Sequence, residues 1–257
     1  MRTLLITLVL AAVAGSATAQ EADFRWQGRV AAGQSVEIRG VNGEIRALPG
    51  DGDAVTVTAE RRGRRSDPSS VRIEVVEHEG GVTLCALYPT PENARRENEC
   101  RPGGGQNNVS RNDVRVDFTV RVPRGVAFAG HTVNGDVEAA DLDADVKAGT
   151  VNGSVTVSTS GFAEASSVNG DLSLRVGRSR LARDVEFETV NGSITIEMPD
   201  GLNADFAAST VNGSIDSDFP ITVSGKVSRR SLRGTIGSGG PELRLSTVNG
   251  SIRLRRI

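Results

Sequence analysis

The sequence predicts an all-β chain, a single parallel β-solenoid of short coils with Val-Asn-Gly corners, preceded by a signal peptide. Three observations predict it. The triplet Val-Asn-Gly recurs seven times in 257 residues, at intervals that suit one coil rather than one domain. Each triplet opens a stretch in which polar and apolar residues alternate, the period of a half-buried strand. No capped helical pattern interrupts these stretches after residue 19.

The chain begins with Met1-Arg2, an apolar run from Leu4 to Ala14, and Ala17-Thr18-Ala19. This reads as a signal peptide over residues 1–19, with an apolar core shorter than the ~20 residues of a membrane span. Residues 20–257 are then one exported domain with no transmembrane span, placed in the periplasm, at the cell surface or outside the cell. Within it, residues 24–125 read as irregular first coils. Strand-like runs lie at Ser35 to Ile38, Ala54 to Ala59, Val71 to Val76, Gly81 to Leu87 and Val114 to Val120.

Two surface excursions separate those runs: the arginine-rich segment from Arg61 to Pro68, and the loop between Cys85 and Cys100. That loop is rich in Pro, Asn and charged residues and has little apolar surface to order it. In an exported chain, two cysteines bracketing such a loop predict a Cys85–Cys100 disulfide, whose closure is worth about 3 kcal/mol.

Residues 126–257 read as the regular coils. The corners are Asn42-Gly43, Asn134-Gly135, Asn152-Gly153, Asn169-Gly170, Asn191-Gly192, Asn212-Gly213 and Asn249-Gly250, with a degenerate copy at Leu232-Arg233-Gly234. Asn-Gly also suits a type I′ hairpin. A hairpin meander would set Glu186 opposite Glu197 and needs a second turn that recurs as regularly, which the sequence lacks. In a solenoid, asparagines repeated once per coil stack about 4.8 Å apart as an amide ladder, beside glycines in corners with no room for a Cβ. A stack in chain order makes Gly250 the terminal corner. The arginines of Ile252-Arg253-Leu254-Arg255-Arg256-Ile257 then protect an open sheet edge.

The repeated Val-Asn-Gly-(Ser/Asp)-(Ile/Val), strands ending in Val122-Pro123 and Met198-Pro199, and the export signal together resemble the bacterial family of putative adhesins with β-strand repeats, a domain of unknown function. The resemblance spans roughly Gly33 to Ile257. It implies a β-solenoid on an exported bacterial protein and brings no catalytic motif.

The chemistry legible in the sequence is thin. A net charge of −2 supplies no bulk field for nucleic acid. His78 lies between two glutamates and His131 before a corner, and both read as solvated. No nucleophile elbow, phosphate loop or dinucleotide fingerprint occurs. Asp136, Glu138, Asp141, Asp143 and Asp145 read as a solvent-facing strand, with calcium as the open alternative. The Arg61 to Arg65 cluster reads first as a solvated excursion and second as a contact for an anionic surface polymer. The Asn-Gly-Ser matches to the glycosylation acceptor pattern belong to the repeat. No catalytic, cofactor-binding or metal-binding residue is therefore assigned, and no cofactor is expected. The reading is a non-enzymatic, monomeric, adhesin-like binding or scaffold module of the bacterial cell envelope, for an unknown envelope or extracellular macromolecule. The alternatives are a polysaccharide-acting β-helix enzyme and a purely structural envelope protein.

Overall fold

Alternation leaves every strand with one apolar face, and two sheets of such strands close on each other around a shared core. The computed structural model, which describes residues 23–223, 228 and 230–257, has this arrangement; the predicted signal peptide lies outside the described residues. One sheet has ten strands in the spatial order Phe24–Arg29, Ala54–Arg62, Arg115–Val122, Ile45–Pro49, Val137–Leu142, Val155–Thr159, Leu172–Val176, Ile194–Met198, Ile252–Arg256 and Ile215–Ser217. The other has eleven: Arg72–His78, Gly81–Leu87, Ser35–Arg39, Ala127–His131, Val146–Gly149, Ala163–Ser166, Val185–Asn191, Glu242–Asn249, Ala204–Asn212, Ser231–Ile236 and Ile221–Val223. One coil runs along the eleven-stranded sheet, turns at Val-Asn-Gly and returns along the ten-stranded sheet.

Parallel register stacks like on like. Val137, Val155, Leu172, Ile194, Ile252 and Ile215 form one inward row. Ala47, Ala139, Val157, Leu174, Ile196 and Leu254 form the next, every one of them buried. The facing sheet supplies the bulk with Phe128, Phe187 and Phe206. Gly130 makes room for the Phe128 ring, whose Cζ would lie 2.9 Å from a Cβ at that position.

Two features correct the purely parallel, chain-ordered stack. First, residues 24–125 are not successive coils. Only Ser35–Arg39 and Ile45–Pro49 form a coil with a corner between them. Phe24–Arg29, Ala54–Arg62 and Arg115–Val122 pair antiparallel, as do Arg72–His78 and Gly81–Leu87, so this end is an antiparallel cap. The cause is local: between Pro49 and Ala127 no Val-Asn-Gly corner occurs, and turns such as Glu79-Gly80 reverse the strand instead of advancing it along the stack.

Second, the last coil is not at the end. Glu242–Asn249 and Ile252–Arg256 insert between the coil of Val185–Met198 and the coil of Ala204–Ser217. Asn249 accordingly lies between Asn191 and Asn212. Leu232-Arg233-Gly234 is no corner; it lies in an antiparallel strand against Phe206 to Ala208. The C-terminal arginines do not guard an edge. Arg255 pairs with Asp216 and Asp218 at 2.9 Å, and Arg256 with Asp200 at 3.0 Å, so they fasten the inserted coil to its neighbours. At this end the edge strand of the ten-stranded sheet is Ile215–Ser217, and three residues offer little to pair with.

Candidate functional site

Each corner reads (Thr/Ser)-Val-Asn-Gly-(Ser/Asp) after the first, and each position bonds to the neighbouring coil in its own way. The asparagine amides form a chain: Asn134, Asn152, Asn169, Asn191, Asn249 and Asn212 each donate from Nδ2 to Oδ1 of the previous rung, starting at Asn42, at 2.7 to 2.9 Å. One step earlier in sequence lie the valines. Val151, Val168, Val211 and Val248 are exposed, Val211 by 54%, and together with the amides they make a solvent-facing ridge along the stack.

The residue before each valine is buried. The hydroxyls of Thr132, Thr150, Ser167, Thr189, Thr247 and Thr210 donate to the glycine carbonyl of the adjacent corner at 2.8 to 3.1 Å. Without them, those carbonyls would lack a partner inside the turn. This role escaped the sequence reading, although a Thr or Ser two positions before the asparagine in six of seven corners is a signal that could have found it. The glycines meet the adjacent backbone. A Cβ on Gly170, Gly192, Gly250 or Gly213 would lie 1.8 to 2.0 Å from the neighbouring glycine oxygen. Close approach is the reason at Gly192, which does not have positive φ, whereas Gly43 has φ 132° as well. The residue after the glycine caps the next coil: Asp136 accepts from Ser154 N–H, and Asp171 from Ser193 N–H, both at 2.7 Å. Ser193 Oγ accepts from Ser251 N–H at 3.2 Å, which accounts for the serine of Asn-Gly-Ser.

Elsewhere, Cys85 and Cys100 form a disulfide with Cα atoms 5.7 Å apart. It ties the hairpin of Glu99–Arg101 and Gly104–Gln106 to the strand Gly81–Leu87. The loop is also ordered by buried Asn98, which donates to the carbonyls of Tyr88 and Asn108 and accepts from Asn108 N–H. Beneath the hairpin, Glu37 is 7% exposed and accepts from Arg39, Thr83 and Gly103 N–H at 2.6 to 2.9 Å. Burial alone would push its carboxyl up, but those donors, Gly103 first, hold it below the usual glutamate value.

His78 accepts from Gly80 N–H in its own turn and lies 3.2 Å from Thr83 Oγ1. Thr83 is fully buried, whereas His78 is half-buried. His131 is not solvated as expected. It is partly buried in an open groove of about 630 Å³ on the outer face of the eleven-stranded sheet, with Lys147, Glu164 and Ser166 beside it. Burial, then the Arg39 charge, pushes its imidazole below the usual histidine value. The acidic stretch is taken up by the next coil: Asp141 accepts from Ser158, Asp143 from Ser160 and Asp145 from Phe162 N–H. Among the described residues no group of three or more His, Cys, Asp or Glu is placed to hold a metal ion, and no helix is long and apolar enough to cross a membrane. The arginine run divides. Arg61 pairs with Asp23 and Arg62 with Glu60, whereas Arg64 and Arg65 line a recess beside Val41 and Asn42.

Residues 107–255, which hold six of the seven Val-Asn-Gly corners, match the family described as Toastrack DUF4097. The chain belongs to that family. Among solved structures, this Toastrack chain is similar to a protein of Clostridium sporogenes ATCC 15579 described as a "putative cell adhesion protein", at 12% identity over 91% of this chain and 99% of that one, with a TM-score of 0.44. It is also similar to a "putative adhesin" of Bacteroides fragilis NCTC 9343, at 13% identity over 91% and 96% of the two chains, with a TM-score of 0.38. No curated protein matches.

Proposed function

We propose that this chain is an exported, non-enzymatic binding module of the bacterial cell envelope, and that the Val-Asn-Gly corner is its contact surface. The observation that carries this reading is the outward half of the corner. The threonine and serine hydroxyls and the glycines join coils, whereas the side chains of Val151, Val168, Val211 and Val248 stay exposed. A row of apolar side chains facing water along a rigid stack is the kind of feature that marks an interaction site. The disulfide supports export, because such bonds persist in oxidising compartments.

The test is retention of the mature protein on envelope fractions and on a glycan panel, alongside a Val151→Asp, Val168→Asp variant. The parent should be retained and the variant lost, with unchanged circular dichroism in both. Equal retention moves the contact away from the corner. Shortening of a bound glycan over time favours a polysaccharide-acting enzyme, and protein that sediments as end-to-end assemblies without binding favours a purely structural role.

A further inference from the structure

The antiparallel cap places two loops far apart in sequence against the first corner. The segments around Arg64 and Arg111 line a recess of about 780 Å³ whose floor includes Val41, Asn42 and Asn134. Three exposed arginines, Arg64, Arg65 and Arg111, share it, and among the described residues none of their guanidinium groups makes an ion pair. The one carboxylate among the residues that line the recess, Asp113, offsets one of the three charges but makes no ion pair with their guanidinium groups. Asp113 accepts from the backbone N–H groups of Arg65 and Ser66 at 2.9 to 3.3 Å, an arrangement that fastens one loop to the other and holds its carboxyl below the usual aspartate value. Arg111 also has φ 50°, a left-handed conformation uncommon for a residue with a side chain.

The asparagine ladder reinforces this charge. All its amides point the same way, Nδ2 towards the Asn42 end, and at that end Asn42 Nδ2 faces the Val114 carbonyl at 3.5 Å. A carbonyl can only accept, which fixes the direction of the whole chain. Aligned amide dipoles of about 3.5 D each, like those of a helix, leave a positive end, and here it lies at Asn42, which lines the arginine recess and faces the Val114 carbonyl. Each ladder amide also keeps one N–H and one oxygen lone pair free for a ligand, repeated about every 4.8 Å.

We propose that this recess anchors an acidic polysaccharide: Arg64, Arg65 and Arg111 take a carboxylate, sulfate or phosphate group of the chain, and the asparagine corner leading away from them takes the hydroxyls of the following sugars. The proposal rests on the reading of the chain as a binding module and names its ligand class. An acidic polysaccharide suits the recess better than a lipid surface because the three arginines line a concavity rather than a flat face, and the asparagine row continues from it.

The experiment uses the full mature chain with oligomers of polygalacturonate, neutral dextran oligomers and anionic phosphatidylglycerol vesicles. Polygalacturonate should bind, dextran should not, and binding should weaken as salt is raised. An Arg64→Ala, Arg65→Ala, Arg111→Ala variant should bind at least about tenfold more weakly, about 1.4 kcal/mol, with an unchanged denaturation midpoint. Arg253→Ala, an exposed arginine elsewhere, should bind as the parent does. Asn42→Asp, which sets a negative charge at the positive end of the ladder, should also weaken binding. The proposal is overturned by a triple variant that binds as tightly as the parent, by equal binding of dextran, or by vesicle binding without polygalacturonate binding. If envelope fractions still retain the triple variant in full, the anchoring site fails while the binding-module reading stands; if no fraction retains the parent, that reading fails.

Discussion

Alanine at Gly192 should break the stack, and the size of the effect follows from the corner. A Cβ there would lie 2.0 Å from the Gly170 oxygen, where ordinary contact begins near 3.4 Å, so the two coils must part by about 1.4 Å. The hydrogen bonds that cross that junction include four at 2.8 to 3.0 Å: Asn191 Nδ2 to Asn169 Oδ1, Thr189 Oγ1 to Gly170 O, Gly170 N to Asn191 O, and Asn191 N to Val168 O. Each passes out of bonding range after such a shift. At about 1 kcal/mol net apiece, the loss is about 4 kcal/mol, a large part of the 5 to 15 kcal/mol that typically holds a domain together. Gly250→Ala should cost nearly as much, because its Cβ would meet the Gly192 oxygen at 2.0 Å in the interior of the stack. Gly213→Ala meets the Gly250 oxygen at 1.9 Å, yet its coil ends in the edge strand Ile215–Ser217 and can tilt outward, so about 1 to 2 kcal/mol is expected. Urea midpoints of the three variants, measured at unchanged slope, give the ranking. Gly213→Ala more damaging than Gly250→Ala would restore the chain-ordered stack. Midpoints equal to the parent would refute the close-approach argument altogether.

Thiol titration of the unfolded, unreduced mature protein should find no reactive thiol, and the Cys85→Ser, Cys100→Ser variant should lose about 3 kcal/mol; two thiols in the parent contradict the disulfide. Thr189→Val keeps the volume but strips the Gly170 carbonyl of its hydroxyl, at a cost of about 1 to 3 kcal/mol, whereas Thr189→Ser should stay near the parent because Ser167 performs that task in its own coil. The pH dependence has two windows. The His131 imidazole lies below its ordinary 6.5 in the folded state, so the unfolded chain binds more protons and stability falls as pH drops from about 6.5. Arg39, Lys147 and Glu37 are the charges that face it, and His131→Gln should flatten this window. The Glu37 carboxyl lies below its ordinary 4.5, so its stabilisation is present above about 4.5 and disappears as pH falls through the folded value. A parent and a His131→Gln variant with the same profile between pH 5 and 7 would show that the imidazole is not shifted.

What was legible in the sequence is whatever repeats once per coil. The spacing of Asn134, Asn152, Asn169 and Asn191 is a coil length, and the alternation after each glycine sorts Val137, Val155, Leu172 and Ile194 to one face. What was not legible is set by single contacts between distant segments. Arg111 shares a recess with Arg64 and Arg65 because hydrogen bonds of Asn112 and Asp113 to Arg65, Ser66 and Ser70 hold the two loops together, and no spacing rule connects those residues. The lowering of the His131 imidazole likewise combines its burial with the charge of Arg39, its register partner in the neighbouring strand.

The order of the last coils is the clearest case. Ile194 with Ile196, Ile252 with Leu254, and Ile215 offer nearly the same inward row, so hydrophobic pattern alone cannot say which coil lies next to which. The residues between the last two corners decide it. After Ile215–Ser217 the chain forms the antiparallel pair Ile221–Val223 and Ser231–Ile236, and Ser231–Ile236 docks along Ala204–Asn212 with Ala204 opposite Ile236. That covers the outer side of the strand on which a further coil would have to grow. The remaining open side faces Val185–Asn191, and there Glu242–Asn249 pairs with both neighbours at once. Asp216 and Asp218 on one side and Asp200 from the turn of the preceding coil then meet Arg255 and Arg256, ion pairs that a chain-ordered stack would leave unmade. The short antiparallel pair between the last two corners thus converts what would have been the last coil into an interior one by removing an edge.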